Sequence, residues 1–446
     1  MRCASVVVCL LLARASASAG GLAIVGGSPR AIGRAGAGVV SDDGAGALLV
    51  NPAALARRDT TRVQVGVALV DDSTAWLPDN AAAPIARDQA GSSLLPGAAV
   101  VGSVAGWNIA AGVMTAGVTA RALRDPLDVP RADDLDALFD YRYAGISGAL
   151  RRDTVTLGVA RRLGDAVALG VAVGLSRIEV RETRRLWAGF AGIVPVGDPS
   201  RDVQLAFAAT DNVVPSATAG ILLAPPDQPM ELAASVGWTA RTVAEGDVVA
   251  SGVAGGTSVR TQSPQARIAF RHPLAVRAGA RYLGERYVVE VGGDLWLAPA
   301  STRSAAWSVG GVTVIDPSTV TAELQVVPSR ISQRTHAAAR AAIDVAVIPG
   351  FVWVTAGYAY TVGGTTEKRL SPTMGALGGH TFALGMEGSA GGFTYSLGWS
   401  RTELVETRGA EDFMLDNPFG AGTAPVASGR YSGSADQIGV LLDVEL

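Results

Sequence analysis

Apolar and polar residues alternate with a period of two along much of this chain. In residues 167–176, valine and leucine occupy the odd positions, and alanine, glycine and serine occupy the even ones. The same alternation runs through 63–69, 393–400 and 437–446. Successive side chains of a strand point to opposite faces, whereas a helix repeats every 3.6 residues. The pattern therefore predicts β-strands.

About fourteen such strands can be placed in an up-and-down order. Their predicted ranges are 61–70, 94–104, 106–117, 143–162, 166–185, 203–223, 230–243, 262–282, 287–300, 334–347, 350–361, 379–388, 392–406 and 434–446. Short and long links alternate between them, and the long ones are 71–93, 118–142, 186–202, 244–261, 301–333, 362–378 and 407–433. Short links on one side, long loops on the other and an even strand number are typical of bacterial outer-membrane barrels.

Three predicted strands contain an interruption. Arg151-Arg152-Asp153 interrupts 143–162, and the segment from Asn212 to Pro215 interrupts 203–223. In 262–282 the interruption is His272-Pro273. Proline cannot donate to the ladder of a sheet, so Pro273 is predicted to mark a strand kink or bulge.

Charged residues occupy one face of the predicted strands. Residues 275–297 read as a hairpin around Gly284-Glu285, with valine, tyrosine and leucine on one face. The opposite face carries Arg277, Arg281, Glu290 and Asp294, and the strand 334–347 adds Arg334, Arg340 and Asp344. We expect these seven residues to form a polar network inside the lumen, with Arg277 and Arg281 close enough to pair with Glu290.

Alternation alone does not separate a β-sandwich from a barrel, and composition favours the barrel. Hydrophobic residues make up 48% of the chain, yet beyond residue 19 no apolar run is long enough for a spanning helix. Residues 1–19 have the basic start, apolar centre and small-residue end of a signal peptide, and they contain both cysteines, Cys3 and Cys9. An exported, hydrophobic chain of strands is predicted to lie in the outer membrane of a Gram-negative bacterium.

The charge and motif content argues against several functions. The formal net charge is −3, without the clustered basic face that nucleic acids require. The three histidines, His272, His336 and His380, show no metal-ligand spacing, and there is no G-x-S-x-G sequence. We therefore expect no metal, no cofactor and no enzymatic activity, although a serine hydrolase assembled from distant residues stays an open alternative.

Residues 20–59 precede the first strand and do not alternate. Their glycines suggest a dinucleotide loop, but the spacing does not fit G-x-G-x-x-G and no apolar strand precedes it. A disordered leader is the other alternative, but the segment holds more apolar side chains than disorder usually carries. A compact plug is the remaining interpretation.

Specific residues support the plug. The run Ile32-Gly33-Arg34-Ala35-Gly36, the pair Asp42-Asp43 and Asn51-Pro52-Ala53-Ala54-Leu55 resemble, in order and spacing, the N-terminal hatch of the FadL-type long-chain fatty-acid transporters. The terminal Leu446 departs from the aromatic residue usual in barrels. The resemblance implies an all-β fold: a transmembrane antiparallel β-barrel of about fourteen strands with a small N-terminal hatch in its lumen. It divides the chain into a signal peptide (1–19), a hatch (20–59) and a barrel (60–446).

The resemblance also implies a function, namely uptake of hydrophobic compounds such as fatty acids or hydrocarbons by passive diffusion, with a lateral exit where a strand is kinked. The residues expected to gate are Gly33, Arg34, Gly36, Asp42, Asp43, Asn51, Pro52 and Ala53. Asn51-Pro52-Ala53 could instead be a turn that only positions the first strand, and the barrel could be a non-transporting scaffold. Expected partners are hydrophobic small molecules, outer-membrane lipid, lipopolysaccharide and the barrel-assembly machinery, with the protein a monomer. No motif identifies the ligand-contacting residues.

Overall fold

The computed structural model describes residues 28–57, 59–78, 86–87, 90–123, 141–190, 197–252, 256–299, 305–365, 370–375, 377–409, 417–420 and 429–446. The predicted signal peptide lies outside these residues. Helices are few and short: α1 Pro29–Ile32, α2 Ala47–Val50, α3 Tyr141–Ala144, and 3₁₀ turns at Pro52–Arg57 and Pro199–Arg201. Within the described ranges, none of the helices could cross a membrane.

Twenty strands follow one another within the described ranges. They are β1 Arg62–Pro78, β2 Ala86–Arg87, β3 Ser93–Val104, β4 Trp107–Ala122, β5 Ser147–Leu163, β6 Val167–Trp187, β7 Asp202–Leu223, β8 Met230–Thr239, β9 Thr242–Gly252, β10 Ser258–Phe270, β11 Leu274–Leu283, β12 Tyr287–Leu297, β13 Ala306–Ile315, β14 Thr321–Glu323, β15 Val326–Pro328, β16 His336–Ile348, β17 Val352–Thr361, β18 Gly379–Ala390, β19 Phe393–Arg408 and β20 Gly429–Glu445.

Fourteen of these strands close into an antiparallel barrel. Around the barrel the order is β1, β3, β4, β5, β6, β7, β8, β11, β12, β16, β17, β18, β19 and β20. The last strand then pairs with the first over its whole length, from Arg62↔Glu445 to Pro78↔Gly429. Closure pairs every strand on both sides, which is what lipid demands of backbone groups. The predicted fold class and strand number are confirmed.

The alternating residues of the strands lie on opposite faces of the barrel wall, as predicted. On β6 the side chains of Leu169, Val171, Val173 and Leu175 are exposed on the outside of the barrel. Their neighbours Ala168 and Ala172 are buried on the inside, where they contact the N-terminal segment. Large apolar residues face lipid and small ones face the lumen, because the lumen must hold a plug.

Several predicted boundaries are wrong. The predicted loops 244–261 and 301–333 contain most of β9 and β13, and β1 and β20 extend into the links assigned as 71–93 and 407–433. The strand predicted over 143–162 begins at Ser147, after helix α3, and continues through Arg151-Arg152-Asp153.

The extra strands form the wall beyond the lipid-facing band. Strand β9 pairs with the first half of β7, β10 with β9, and β13 with β10. They surround a buried apolar cluster in which the rings of Phe207 and Trp307 stack at 4.5 Å. This cluster, here called the outer core, lies beyond the point where the outward alternation of large apolar residues ends. Part of this cluster, including Val248 and Trp307, comes from the segments predicted as loops.

Candidate functional site

Residues 28–57, here called the hatch, fold inside the barrel from local signals. The Ser28 hydroxyl caps α1 by accepting from the amide of Ala31, and Pro29 takes the first helical position. The helix ends at Ile32, and just beyond it Ala35 and Gly36 adopt left-handed backbone angles, φ 50° and 80°. The Gly36 amide donates to the Ala31 carbonyl at 2.8 Å, so this glycine reverses the chain.

Asn51 ties together three parts of the hatch. It follows α2 in an extended conformation, with φ −152°, as the proline after it requires. Its side-chain amide donates to the Val39 carbonyl at 2.9 Å, and its Oδ1 accepts from the Ala53 amide at 3.2 Å. The side chain is fully buried. Asn51-Pro52-Ala53 is therefore an internal joint of the hatch, which continues to Arg57 before the first strand begins.

Glycines on the inner wall let the hatch backbone approach closely. A Cβ at Gly398 of β19 would lie 2.6 Å from the Gly33 nitrogen and 2.7 Å from the Pro29 carbonyl oxygen. A Cβ at Gly33 would in turn lie 2.7 Å from the Cα of Gly385 in β18. Backbone packs on backbone at these points without intervening side chains.

A buried ion-pair network joins the hatch to the wall. Arg34 of the hatch donates from Nη2 to Oε2 of Glu290 at 2.9 Å and from Nη1 to Asp344. Its Nε donates to the Ala37 carbonyl, which satisfies the third side of the guanidinium. Glu290 also accepts from the Val40 amide at 2.9 Å. Arg34 is 2% exposed, so its charge and those of Glu290 and Asp344 depend on this pairing.

Other charged wall residues support the same arrangement. Arg340 of β16 bonds Asp294 at 2.7 Å and also donates to the Ala35 carbonyl of the hatch at 2.7 Å. Arg57 contacts both carboxylate oxygens of Glu231, at 2.9 and 2.7 Å. The hatch is thus held by charge pairs at both ends of its sequence.

The pairing differs from the sequence expectation. Arg281 lies opposite Glu290 in register, but its guanidinium reaches Glu231 at 3.5 Å, and Arg277 reaches Asp294 at 3.7 Å. Glu290 is occupied by Arg34 instead, because the hatch fills the lumen between the strands. Arg334 donates to the Gly363 carbonyl and does not join the network with the other six.

The two hatch aspartates have different surroundings. Asp43 lies 3.6 Å from Arg30 of the hatch and 3.7 Å from Arg62 of the wall, as the sequence suggests for a contact with the barrel. Asp42 instead accepts from the Ser28 hydroxyl at 2.8 Å inside the hatch. Burial raises the pKa of the Asp42 carboxyl above its ordinary value, against the opposing effects of Arg30 and Ser28.

A cavity lies between the hatch and the outer core. It has a volume of about 210 Å³, and we call it the chamber. Leu48 and Leu49 of the hatch form its floor, while Leu150 and Ile178 of the outer core line the opposite side. Strands β7, β8 and β11 supply much of the wall between them, including Trp238 and Pro273.

Cationic and aromatic groups line this space, together with apolar side chains and several hydroxyl groups. Arg152 of β5 donates to the hydroxyls of Ser176 and Thr239, at 2.9 and 3.3 Å, and has no carboxylate partner among the described residues. Nη1 of Arg277 is buried without a hydrogen-bond partner in the described structure. His336 stacks on Trp296 with ring centroids 4.6 Å apart.

The sequence alone predicts only part of the chamber lining. The sequence predicts a strand kink at Pro273, which lies beside the chamber between the end of β10 and the start of β11. Arg152 figured only as an interruption of a strand, and His272 and His336 as isolated histidines. They contact one cavity because β11 and β16 both pair with β12, which no spacing along the chain discloses.

Comparisons with known proteins agree with this geometry. The model of the family described as outer membrane protein transport protein (OMPP1/FadL/TodX) matches residues 10–271. No curated protein sequence matches the chain.

Solved structures share the fold at low sequence identity. A FadL homologue of Pseudomonas aeruginosa has a TM-score of 0.68 and 14% identity, covering 95% of this chain and 98% of its own. The Pseudomonas putida toluene transporter TodX has a TM-score of 0.64 and 16% identity, with coverages of 96% and 99%. The Ralstonia pickettii toluene transporter TbuX has a TM-score of 0.63 and 13% identity, with coverages of 94% and 98%.

Proposed function

This chain belongs to the outer membrane protein transport family of OMPP1, FadL and TodX, and we propose that it takes up hydrophobic compounds that carry a carboxylate, such as fatty acids. The chamber is the binding site in this proposal, and the hatch separates it from the periplasm. Transport is passive, because the described residues offer no motif that would couple it to an energy source.

The choice of a carboxylate substrate rests on the positive charge in the chamber. Arg152 contacts only two hydroxyls, and the buried Nη1 of Arg277 has no partner in the described structure. Arg152 is a partly buried cation without a counter-ion among the described residues, which is costly, and a ligand carboxylate would provide one. Arg277 already lies 3.7 Å from Asp294 and lacks only a hydrogen-bond partner for Nη1. A neutral hydrocarbon would offer neither a counter-ion to Arg152 nor a hydrogen-bond acceptor to Nη1 of Arg277.

The rest of the chamber suits the chain of such a ligand. Leu48, Leu49, Ile178 and Trp238 offer apolar surface on three sides. Apolar walls with a few converging polar groups are the usual composition of small-molecule sites. The carboxylate would be held by Arg152 and the hydrocarbon would lie along these side chains.

Passage to the periplasm requires the hatch to move. Leu48 and Leu49 of the hatch line the chamber, and Arg34 holds the same hatch to the wall by its pairs with Glu290 and Asp344. In this proposal a ligand leaves inward only when those pairs open. Arg34, Asn51 and their neighbours act as gating residues in this proposal through the stability of the closed hatch.

Binding of chain-matched ligands tests the choice of substrate. Palmitate and 1-hexadecanol are titrated against the purified protein, with tryptophan fluorescence as the signal, since Trp238 and Trp296 line the chamber. A charge-assisted hydrogen bond contributes about 1.5–3 kcal/mol, so Arg152→Met should weaken palmitate binding roughly tenfold to a hundredfold. Binding of 1-hexadecanol should stay as in the wild type.

Arg161→Met is the matched control, because Arg161 lies over the Trp107 ring away from the chamber. Equal loss of both ligands in Arg152→Met would contradict a carboxylate subsite. Uptake of labelled palmitate by cells then tests transport itself. Normal uptake in a deletion strain would favour the alternative, a barrel that serves as a scaffold.

A further inference from the structure

A segment of one outer loop lies inside the barrel. Residues 370–375, here called the strap, belong to the link between β17 and β18, on the side of the long loops that faces the exterior in an outer-membrane barrel. All six residues are buried, including the polar Ser371 and Thr373. Connecting segments usually run over a surface, because buried backbone groups need partners. The strap must therefore be held in the lumen by specific contacts.

The strap crosses the lumen to the opposite wall. The hydroxyl of Ser371 donates to the carbonyl of Ala144 at 2.8 Å, just before β5 begins. Met374 packs against Gly148 of β5. Strand β5 is the seventh strand from β17 in either direction around the fourteen strands. A segment that leaves the wall between β17 and β18 and contacts β5 therefore spans the width of the barrel.

The wall provides partners for the backbone of the strap. The hydroxyl of Thr74 on β1 donates to the carbonyl of Pro372. Nη1 of Arg121 on β4 donates to the carbonyl of Gly375. Within the strap, the amide of Gly375 donates to the carbonyl of Ser371 at 3.0 Å. These bonds pair backbone groups that burial removes from water, so the position inside the lumen is a stable one.

Two glycines at the start of β5 leave space for the strap. Gly145 has a positive φ of 150°, and a Cβ there would overlap the hydroxyl of Thr373. A Cβ at Gly148 would lie 2.5 Å from Sδ and 2.8 Å from Cγ of Met374. A larger residue at either position would displace the strap, so this part of the wall is shaped to receive it.

The strap lies on the side of the chamber that is opposite the hatch. Met374 belongs to the outer core together with Leu150 and Ile178, and the last two line the chamber. Gly148, against which Met374 packs, lies two residues beyond Leu150 on the inner face of β5. The strap is therefore placed between the chamber and the exterior.

The strap can withdraw without leaving a buried charge unpaired. It contains no charged residue, so its departure breaks no ion pair. Arg121 keeps its bond to Asp72, from Nη2 to Oδ1 at 2.8 Å. The hatch differs, because Arg34 is itself the cation that neutralises Glu290 and Asp344. Opening the outer end breaks hydrogen bonds and apolar contacts, whereas opening the inner end also breaks buried ion pairs.

We propose that the strap is the outer gate of the chamber and withdraws towards the exterior to admit the amphiphile. Because the strap is released more readily than the hatch, the chamber fills from outside while its inner end stays closed. This gate rests on the proposed uptake of carboxylate-headed amphiphiles and assigns the step that controls their entry.

A disulfide between the strap and β5 tests the gate. The described residues contain no cysteine, so Gly148→Cys with Met374→Cys introduces the only thiols among them. The Cγ of Met374, whose place a cysteine sulfur would take, lies 2.8 Å from a Cβ at 148, which suits the short reach of a disulfide.

Association of palmitate with the purified double variant is followed by stopped-flow tryptophan fluorescence, with and without a reductant. Oxidation should slow association about tenfold relative to the reduced protein, which corresponds to about 1.4 kcal/mol of added barrier. The Kd should stay the same, because the strap is closed in the bound state of both forms.

Ala149→Cys with Arg181→Cys is the matched control. These residues are direct partners on β5 and β6 at the same height, on the outer face of the wall. Oxidation there should leave the association rate unchanged. Equal rates for oxidised and reduced protein with cysteines at 148 and 374 would overturn the gate while leaving the chamber as a binding site.

Thr74→Val tests the same gate in the opposite direction and without cysteines. Loss of the bond to the Pro372 carbonyl should speed palmitate association roughly twofold to tenfold, because the strap is held less firmly. Thr381→Val is its control, since that hydroxyl bonds Thr402 of the neighbouring strand at 2.8 Å. An unchanged rate in Thr74→Val would contradict the gate. If wild-type protein binds no palmitate, the proposed function fails instead, and the strap is not the cause.

Discussion

The Arg34 guanidinium of the hatch donates to the Glu290 carboxylate of strand β12 at 2.9 Å, in a site where both side chains are almost fully buried. These residues are 256 positions apart in the sequence. The same guanidinium also contacts Asp344, so one hatch residue neutralises carboxylates on two strands. The closed state of the hatch depends on this pairing more than on any exposed ion pair.

Removing Arg34 should release the hatch. In Arg34→Met, Glu290 and Asp344 stay buried without their cation, and breaking a buried pair from one side costs about 3–5 kcal/mol. Hydrogen exchange of the amides in residues 28–57 should accelerate accordingly, with the barrel amides unchanged. Arg401→Met breaks only exposed pairs, with Glu403 and Asp436, and should leave hatch exchange as it is. Unchanged exchange in Arg34→Met would contradict the role assigned to the pair.

A methyl group at Gly398 should displace the hatch. Its Cβ would lie 2.6 Å from the Gly33 nitrogen, which cannot move without α1. Overpacking of this kind costs about 1–3 kcal/mol. We expect Gly398→Ala to raise exchange in residues 29–36. At Gly97, whose Cβ would have its nearest neighbour at 3.6 Å, alanine should have no such effect.

Asn51→Ala separates a gating role from a turn. The substitution leaves the Val39 carbonyl and the Ala53 amide without their partner, which costs about 1–3 kcal/mol. Both roles predict a less stable hatch by hydrogen exchange. Only a gating role, which acts through the stability of the closed hatch, predicts faster palmitate uptake at a temperature where the hatch is still folded. Uptake equal to that of the wild type under this condition would leave Asn51 as a structural joint.

Asp42 should make hatch stability depend on pH. Its pKa is raised above 3.8 in the folded hatch, chiefly by burial, so the folded state binds the proton more tightly than the unfolded state. The hatch should therefore lose stability as the pH rises from about 3.8 through the folded pKa. The Asp42 carboxylate that forms is unfavourable in the buried site of the folded hatch but not in the unfolded chain. The difference in hatch exchange between wild type and Asp42→Asn isolates this group. The difference between the two proteins should shrink towards low pH. A difference that grows on acidification would contradict a raised pKa of Asp42.

The wall could be predicted more fully than the site. Alternation places Leu169, Val171 and Val173 towards lipid, because the period of a strand is visible in neighbouring residues. It fails at β9 and β13, where the inward residues pack into the outer core and the outward ones face water, so the segment resembles a loop. The position of Pro273 was predicted, since a missing amide hydrogen is a local property.

The sequence by itself determined the barrel, the number of its strands and the presence of a small N-terminal hatch, because each follows from local periodicity or from contiguous residues such as Asn51-Pro52-Ala53. Only the tertiary structure decided that Glu290 pairs with Arg34 instead of Arg281, and that Arg152, His272 and His336 share one chamber. Such contacts depend on which strands become neighbours on closure and on the hatch occupying the lumen between them. Neither the neighbours of a strand nor the position of the hatch can be predicted from the spacing of residues along the chain.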